Sequence, residues 1–310
     1  MSALGSPYVT VAIPTYNRSA FLRQTLEGLS RQRPVTGGFE IIVIDNNSRD
    51  DTRSVVAEFS EASPAPQYVV ETQQGLDHAR NRAVHEAKGE ILILADDDIL
   101  MDPDWVTQLV APFRADSKSK IAAVGGEVIP VFPDGLPEWV AEWHSPLAFR
   151  AETGPLTAQQ SPMGANLAFR KSVFERHGLF STTLDRKGSA LFSGGETEML
   201  NRLRQAGLEV WFAPAAKVKH QMPASRTTFR YAARHAFDSA RSRVVDRGRT
   251  SIGYLVSRLL ANALKVLVYS LIGILWALLL QTGNSKKAWV RAWRSCGYLY
   301  QIPRTAMGKI

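Results

Sequence analysis

Three aspartates in a row, Asp96-Asp97-Asp98, follow the apolar run Ile91-Leu92-Ile93-Leu94-Ala95 without a spacer. Carboxylates crowded together repel one another unless a cation or hydrogen-bond donors compensate them. A hard divalent ion, Mg²⁺ or Mn²⁺, is the natural compensation and leaves positions for water and substrate phosphate. The plainer reading is an acidic turn or a helix cap, but Asp102, just before Pro103, already fills that capping role. A further carboxylate, Asp45, closes the run Glu40–Ile44 and opens Asp45-Asn46-Asn47-Ser48. It can accept hydrogen bonds from a base N–H or from ribose hydroxyls, or form an Asx-turn, for which Asn46 and Asn47 are equally suited. Pro14-Thr15-Tyr16-Asn17 ends the first apolar run, where Tyr16 offers a ring for stacking on a planar base and Thr15 a hydroxyl. None of these motifs is specific alone; their common place at strand ends makes them a group.

The elements that would position them are legible as an alternation. Tyr8–Ile13 reads as a strand ended by Pro14, and Ser19 as the N-cap of a helix with Phe21, Leu22, Thr25, Leu26 and Leu29 at helical spacing. Glu40–Ile44, Gln67–Val70 and Glu90–Ala95 read as further strands, separated by helices over Asp51–Phe59 and Asp77–Lys88, the latter with Gly89 at C′. Such alternation predicts an α/β fold, a mostly parallel sheet flanked by helices, with ligands beyond the carboxyl ends of the strands. Past Lys120 the pattern is irregular: Ile121–Val131 could form strands, and Met163–Arg170, Phe180–Gly195 and Val210–His220 are expected to continue the domain as short strands and loops around a helix over Glu196–Ala206.

Composition removes several classes. All 29 acids lie within the first 246 residues, against 27 of the 37 bases, so the net charge of +8 belongs to the last 64 residues and not to a nucleic-acid-coating domain. One cysteine, Cys296, excludes a disulfide framework and fits a reducing compartment. The first residues lack a basic segment followed by an apolar run, so no secretory signal is expected. No Gly-x-Gly-x-x-Gly follows the first strand and no P-loop motif occurs, so a bound diphosphate would depend on a metal and on basic side chains. Arg80 and Arg82, on the helix after Gly75, stand where they could help.

The runs VTVAIPTYNR, EIIVIDNNSRDDT and GLDHARNRAVHEAKGEILILADDD resemble, in order and spacing over about residues 7–110, the family 2 glycosyltransferases of GT-A fold, of the kind that build bacterial cell-surface polysaccharides. A weaker match continues through MGANLAFRKSVF, LFSGGETEMLNRL and GLEVWFAPAAKVKH to about His220. The resemblance implies inverting transfer from a nucleotide-diphosphate sugar with a divalent metal. On it, Thr15, Tyr16 and Asp45 match positions that hold the nucleoside, and Arg80 matches a basic residue near the nucleotide. Asp96-Asp97-Asp98 matches the Asp-x-Asp element, with Asp96 toward the ribose and donor sugar, Asp97 within the nucleotide-sugar site and Asp98 on the metal. The family's base lies in an acidic pair opening a helix. Here Gly195 stands where the first acid is often found, and Glu196 aligns with the second, which carries the base role; Glu198 is the fallback. His220 matches a histidine that in some of these enzymes reaches the metal or the diphosphate. The alternatives are a sugar-phosphate nucleotidyltransferase, which would want a glycine-rich basic loop after the first strand, and a non-catalytic, membrane-tethered binder of nucleotide-sugar or glycan.

The catalytic domain is expected over residues 1–225 and a membrane-associating helical tail over 226–310. Leu259–Leu280 is apolar but interrupted by Lys265, which leaves only Val266–Leu280 uncharged. Positive residues flank both ends, which suits an interfacial or re-entrant helix pair better than a single crossing. Trp289, Trp293, Tyr298 and Tyr300, interleaved with Arg291 and Arg294, resemble a headgroup-level belt. An anionic membrane surface at the cytoplasmic face of the inner membrane is the expected location, and a polyprenyl-linked glycan the expected acceptor. Trp139 and Trp143 could stack on acceptor sugars, and the arginines of Arg226–Arg243 could guide an acceptor diphosphate.

Overall fold

The structure is a computed structural model that describes residues 7–143, 146–182, 194–247 and 251–308. Most of the expected Phe180–Gly195 stretch, residues 183–193 with Ser193 among them, lies outside the described residues. The chain forms two compact units: Met1–Val131, Pro146–Thr182 and Gly195–Gln221 make the first, and Phe132–Ser145, Thr183–Gly194 and Met222–Ile310 the second.

The first unit is built on one mixed sheet. Its strands are β1 (Val9–Thr15), β2 (Phe39–Asp45), β3 (Pro66–Val70), β4 (Ile91–Ala95), β5 (Ile99–Met101), β6 (Ile121–Val131), β7 (Gly154–Pro155), β8 (Asn166–Arg170) and β9 (Glu209–Gln221). They lie in the order β3-β2-β1-β4-β8-β6-β9-β5, with β7 paired to β9. The first four strands are parallel, and β8 enters antiparallel between β4 and β6. The chain builds outward from β1 through β2 to β3 and then returns to the other side of β1 for β4. That reversal opens a crevice at the carboxyl ends of β1 and β4.

Alternation assigns the two faces. Val9, Val11, Ile13, Ile91 and Ile93 pack with α1 (Ser19–Ser30), α2 (Thr52–Ala57) and α4 (Trp105–Ala115). Ala12, Ile42, Ile44, Leu92 and Leu94 pack with α3 (Leu76–Glu86), α5 (Ser172–His177) and α6 (Gly195–Gln205). Burial on both faces is why these strands read as unbroken apolar runs.

Four local expectations shift. β1 continues through Pro14 to Thr15. The Thr15 carbonyl accepts from Asn46 N–H toward β2, so the donorless Pro14 nitrogen faces the other side, where pairing with β4 has stopped at Ala12–Leu94. Ser19 is the first helical residue of α1, not its cap; its N–H donates to Asp50 Oδ2 at 2.8 Å. Gly89 is not a left-handed C′ residue, since α3 ends at Ala87 in extended conformation. Gly89 is needed for space, as a Cβ there would lie 2.5 Å from Thr10 N. The residue preceding α4 is Asp104, and Asp102 contributes only its carbonyl, to Trp105 N–H.

The second unit holds α7 (Phe229–Arg247), α8 (Ile252–Leu278) and α9 (Thr282–Ala306). α8 begins ahead of the apolar stretch that opens at Leu259 and passes Lys265 unbroken, so at 1.5 Å per residue it is about 40 Å long. Gly253–Leu278 is the one helix, among the described residues, long and apolar enough to cross a membrane, and 11% of its most apolar window is buried. Leu260, Leu264, Leu267, Leu271, Leu275 and Leu278 are each more than half exposed. α9 folds back on α8: Ser285 Oγ donates to Gly273 O at 2.8 Å, and a Cβ on Gly273 would meet the Trp289 indole. Trp293 and Tyr300 face Phe237 of α7, and the Arg241 guanidinium lies over the Tyr300 ring. Trp139 packs on Phe229 with Lys286 over its ring, while the Trp143 side chain lies outside the described residues.

Candidate active site

The carboxyl ends of β1, β2 and β4 are tied to one another by side chains. Thr15 and Asp45 are register partners, and Thr15 Oγ1 donates to Asp97 Oδ2 at 2.7 Å. The loops after β1 and β2 are laced together: Asn17 N–H donates to Ser48 Oγ at 2.9 Å, and Arg49 N–H to Asn17 Oδ1 at 2.7 Å. Asn17 and Asn47 take left-handed backbone conformations, which asparagine tolerates better than most residues. Asp50 accepts from the first N–H of both flanking helices, Ser19 at 2.8 Å and Thr52 at 3.2 Å, and from the Thr52 hydroxyl. Tyr16 stands 39% exposed at the end of β1.

Asp45 is 4% exposed. Its Oδ1 accepts from Ser48 N–H at 2.8 Å and its Oδ2 from the Tyr68 hydroxyl at 2.5 Å. Burial, together with the hydrogen bond to Asp45, pushes the Tyr68 hydroxyl up to about 12. The neighbouring Asn46 spends its amide on Glu71 O, Gln73 O and Gly75 N–H, so it shapes the loop that leads into α3.

The three aspartates separate by direction. Asp97 is turned inward, to Thr15 and to Arg18 Nη1 at 2.7 Å. Burial pushes the Asp97 carboxyl up and the charge of Asp98 adds to that, while Arg18 and the Thr15 hydroxyl oppose it. Asp98, fully buried, takes Arg18 Nη2 at 2.6 Å on one oxygen and lies 2.9 Å from His220 Nε2 through the other. Asp96, the most exposed of the three, lies 4.0 Å from His220 Nε2. The backbone here is held from two sides: Thr25 Oγ1 donates to the carbonyls of Asp97 and Ile99, and Gln221 N–H to Asp98 O. Because β5 pairs antiparallel with β9 in the register Ile99–His220, the histidine is delivered beside the triplet from 122 residues further along the chain.

One ligand atom each from Asp96, Asp98 and His220 lie within 4.8 Å of one another, a set that could hold a metal ion. Two carboxylates with one imidazole suit a divalent cation of the Mg²⁺ or Mn²⁺ kind. Arg18, which has no role in the sequence analysis, is the guanidinium that pairs with both Asp97 and Asp98 and offsets part of their charge. Its position one residue past Pro14–Asn17, at a strand end, was the available signal.

Arg80 and Glu196 form an adjoining cluster. Arg80 is 4% exposed, its Nη1 2.8 Å from Asp77 Oδ1 and 3.1 Å from Glu196 Oε2. Burial works against the Arg80 charge, but Glu196 and Asp77 outweigh it, Asp96 adds to them, and the guanidinium is held above its ordinary range. Its other face lies over the Phe180 ring. Glu196 sits half-buried in the first turn of α6. Arg82 instead pairs with Glu86 on the surface, and Glu198 pairs with Arg202 along α6.

The architecture is that of the GT-A glycosyltransferases. A mannosyltransferase from Pyrobaculum calidifontis, solved in complex with GDP-Man and Mn²⁺, matches over 99% of this chain and 89% of its own, with a TM-score of 0.63 at 20% identity, which gives the GT-A fold. The family model described as glycosyl transferase family 2 matches residues 10–178, and the chain belongs to that family. Among its relatives, glycosyltransferase AglE of Haloferax volcanii is 28% identical over 67% of this chain and 64% of its own length. The glucosyl-dolichyl phosphate glucuronosyltransferase of the same organism is 24% identical over 71% of each.

Proposed function

We propose that this glycosyltransferase moves a sugar, with inversion, from a nucleotide-diphosphate sugar to a lipid-linked glycan acceptor. The observation that carries the reading is the chain of contacts from Asp45 and Thr15 through Asp97, Arg18 and Asp98 to His220, with Arg80 paired to Glu196 and within the electrostatic reach of Asp96. Inversion is one in-line displacement at the anomeric carbon. The acceptor hydroxyl is a poor nucleophile at neutral pH, so a carboxylate must take its proton as it attacks. Glu196 is assigned that role. Tyr16 and Asp45, with the Thr15 hydroxyl, are assigned to the nucleoside, and Asp96 to the donor ribose and sugar. Asp97 serves that site from beneath by fixing Thr15. Asp98 and His220 would hold Mg²⁺ or Mn²⁺, with Asp96 in reach. A cation bound there supplies Lewis-acid neutralisation of the charge developing on the departing diphosphate. Arg80 adds a fixed positive charge to the same end of the site. The mannosyltransferase's GDP-Man and Mn²⁺ support this reading of donor and metal, and the relative named for a glucosyl-dolichyl phosphate supports that of the acceptor.

Catalysis is assigned to residues 1–225 and attachment to an anionic, cytoplasmic membrane surface to residues 226–310. The exposed leucines of α8 and the acid-free stretch after Asp246 support the attachment. The full chain should sediment with phosphatidylglycerol-rich vesicles, and L267E/L271E should stay in the supernatant; vesicle binding untouched by both substitutions rejects the attachment.

The catalytic test uses a panel of UDP-, GDP- and dTDP-sugars with Mn²⁺, read as released nucleoside diphosphate. Glu196→Gln should bind the donor as the wild type does and lose turnover by about 10²–10⁴-fold. Unchanged turnover removes Glu196 as the base. Release of pyrophosphate from a nucleoside triphosphate would instead favour a nucleotidyltransferase.

A further inference from the structure

The Arg80 cluster has two glycine walls, and each is a glycine for want of space. A Cβ on Gly164 would lie 2.5 Å from Arg80 Nη2 and 3.3 Å from Glu196 Oε1. A Cβ on Gly195 would lie 2.2 Å from Asp77 Oδ2, 2.7 Å from its Cγ and 2.8 Å from Oδ1. Gly195 is absent from the left-handed glycines, so its backbone conformation does not demand the residue type. The Asp77 carboxylate demands it, by filling the volume that a side chain grown from the start of α6 would enter.

Asp77 is 2% exposed in the first turn of α3. A carboxylate is buried only where something compensates it, and its Oδ1 takes the same Arg80 Nη1 that reaches Glu196. One guanidinium is thus shared by two carboxylates from different helices, one sealed in and the other half-buried. Without Asp77, Arg80 would be free to turn wholly onto Glu196 or toward Asp96, and Glu196 would lose its fixed partner geometry.

We propose that Asp77 is a positioning residue for the transfer reaction. It locks Arg80, Arg80 sets the Glu196 carboxylate, and Gly195 is the vacancy that lets an acid from α3 do this in place of one from α6. The proposal rests on Glu196 being the base. It predicts that the acid can be moved between helices. From a Cβ at 195, a short carboxylate reaches the volume Asp77 now fills, so Asp77→Ala with Gly195→Asp rebuilds the cluster from the other side.

The test uses the full chain and the Mn²⁺-dependent release of nucleoside diphosphate from the sugar-nucleotide panel, beside the thermal midpoint of each variant, which needs no substrate. Asp77→Asn keeps the shape and removes the charge; kcat should fall at least tenfold with the donor KM changed less than threefold. Asp77→Ala and Gly195→Asp should each lower kcat and the midpoint, and the double variant should recover most of both. Wild-type kcat in Asp77→Asn, or a double variant no better than the sum of its singles in kcat and midpoint, overturns the proposal. Should Asp77→Asn fail to fold, the double variant decides alone, and its failure to fold overturns the proposal as well. An active Glu196→Gln would remove the base assignment whatever the Asp77 variants do. An inactive Glu196→Gln beside a fully active Asp77→Asn removes only the role given to Asp77.

Discussion

Around Arg80, two carboxylates share one buried guanidinium; around Arg18, two carboxylates share one guanidinium, and a third carboxylate and an imidazole stand alongside. The first cluster is walled by glycines and an aromatic ring around Arg80 and the sealed Asp77, and only its Glu196 carboxylate is half-buried. The second opens toward the half-buried Asp96 and carries more negative charge than Arg18 can cancel. Similar residue types thus make a closely packed cluster around the proposed base and an open one suited to a divalent ion. The additional carboxylate and the imidazole separate the second cluster, a set that could hold a metal ion, from the ion pairs of the first.

Removing the charge that separates the two should have the largest effect. Asp98→Asn, or chelation of divalent ions from the wild type, should lower transfer by about 10³-fold, several kcal/mol of charge stabilisation at about 1.4 kcal/mol per tenfold. Mn²⁺ should restore the chelated enzyme and not the variant; activity independent of chelation would erase the contrast. Next come the guanidiniums. Arg80→Gln leaves buried acids uncompensated and should cost about 3–5 kcal/mol in denaturant unfolding, with no recovery on adding Mn²⁺. Arg18→Gln should cost less, and added Mn²⁺ should raise its stability more than it raises the wild type's, because the ion takes over the work of the lost charge. Equal responses to Mn²⁺ in the two variants would show that the clusters are not distinct in this sense. The smallest effect is expected at the nucleoside end. Tyr68→Phe removes one hydrogen bond to a carboxylate and should raise the donor KM a few-fold, with kcat unchanged. The same bond sets a pH dependence. Tyr68 is held neutral in the fold to about 12 against 10.0 in the unfolded chain, so its contribution is complete below pH 10 and lost as pH rises through 12. Ultraviolet titration of tyrosinate in wild type and Tyr68→Phe measures it, and the difference spectrum should emerge only near pH 12.

Much of this was legible in the sequence for a physical reason. Strands buried on both faces are written as uninterrupted apolar runs, and polar residues placed at their carboxyl ends stand out against them. Thr15, Asp45 and Asp96–Asp98 could therefore be picked out together, and parallel register brings their strand ends to one crevice. His220 and Glu196 carry no such local signal, because each arrives through a long-range pairing, and for them the family resemblance supplied the expectation. Asp77 and Gly195 were opaque as a pair, since the relation between them is the volume of one carboxylate and only packing reveals it. Lys265 interrupts the uncharged run of α8 but not the helix, because a long side chain on an exposed helix face need not break it.

Asp50 has a consequence out of proportion to its place in a surface loop. One carboxylate starts two helices, so the spacing between their first turns is set by the bite of a single side chain, and the segments carrying Tyr16 and Asp45 hang from that clasp. Loosening it would let the two loops proposed to hold the nucleoside drift apart while the Asp96–Asp98 turn, anchored by Thr25 and Gln221, kept its shape. On the proposed roles, an enzyme so altered would still gather its ion and lose its grip on the donor.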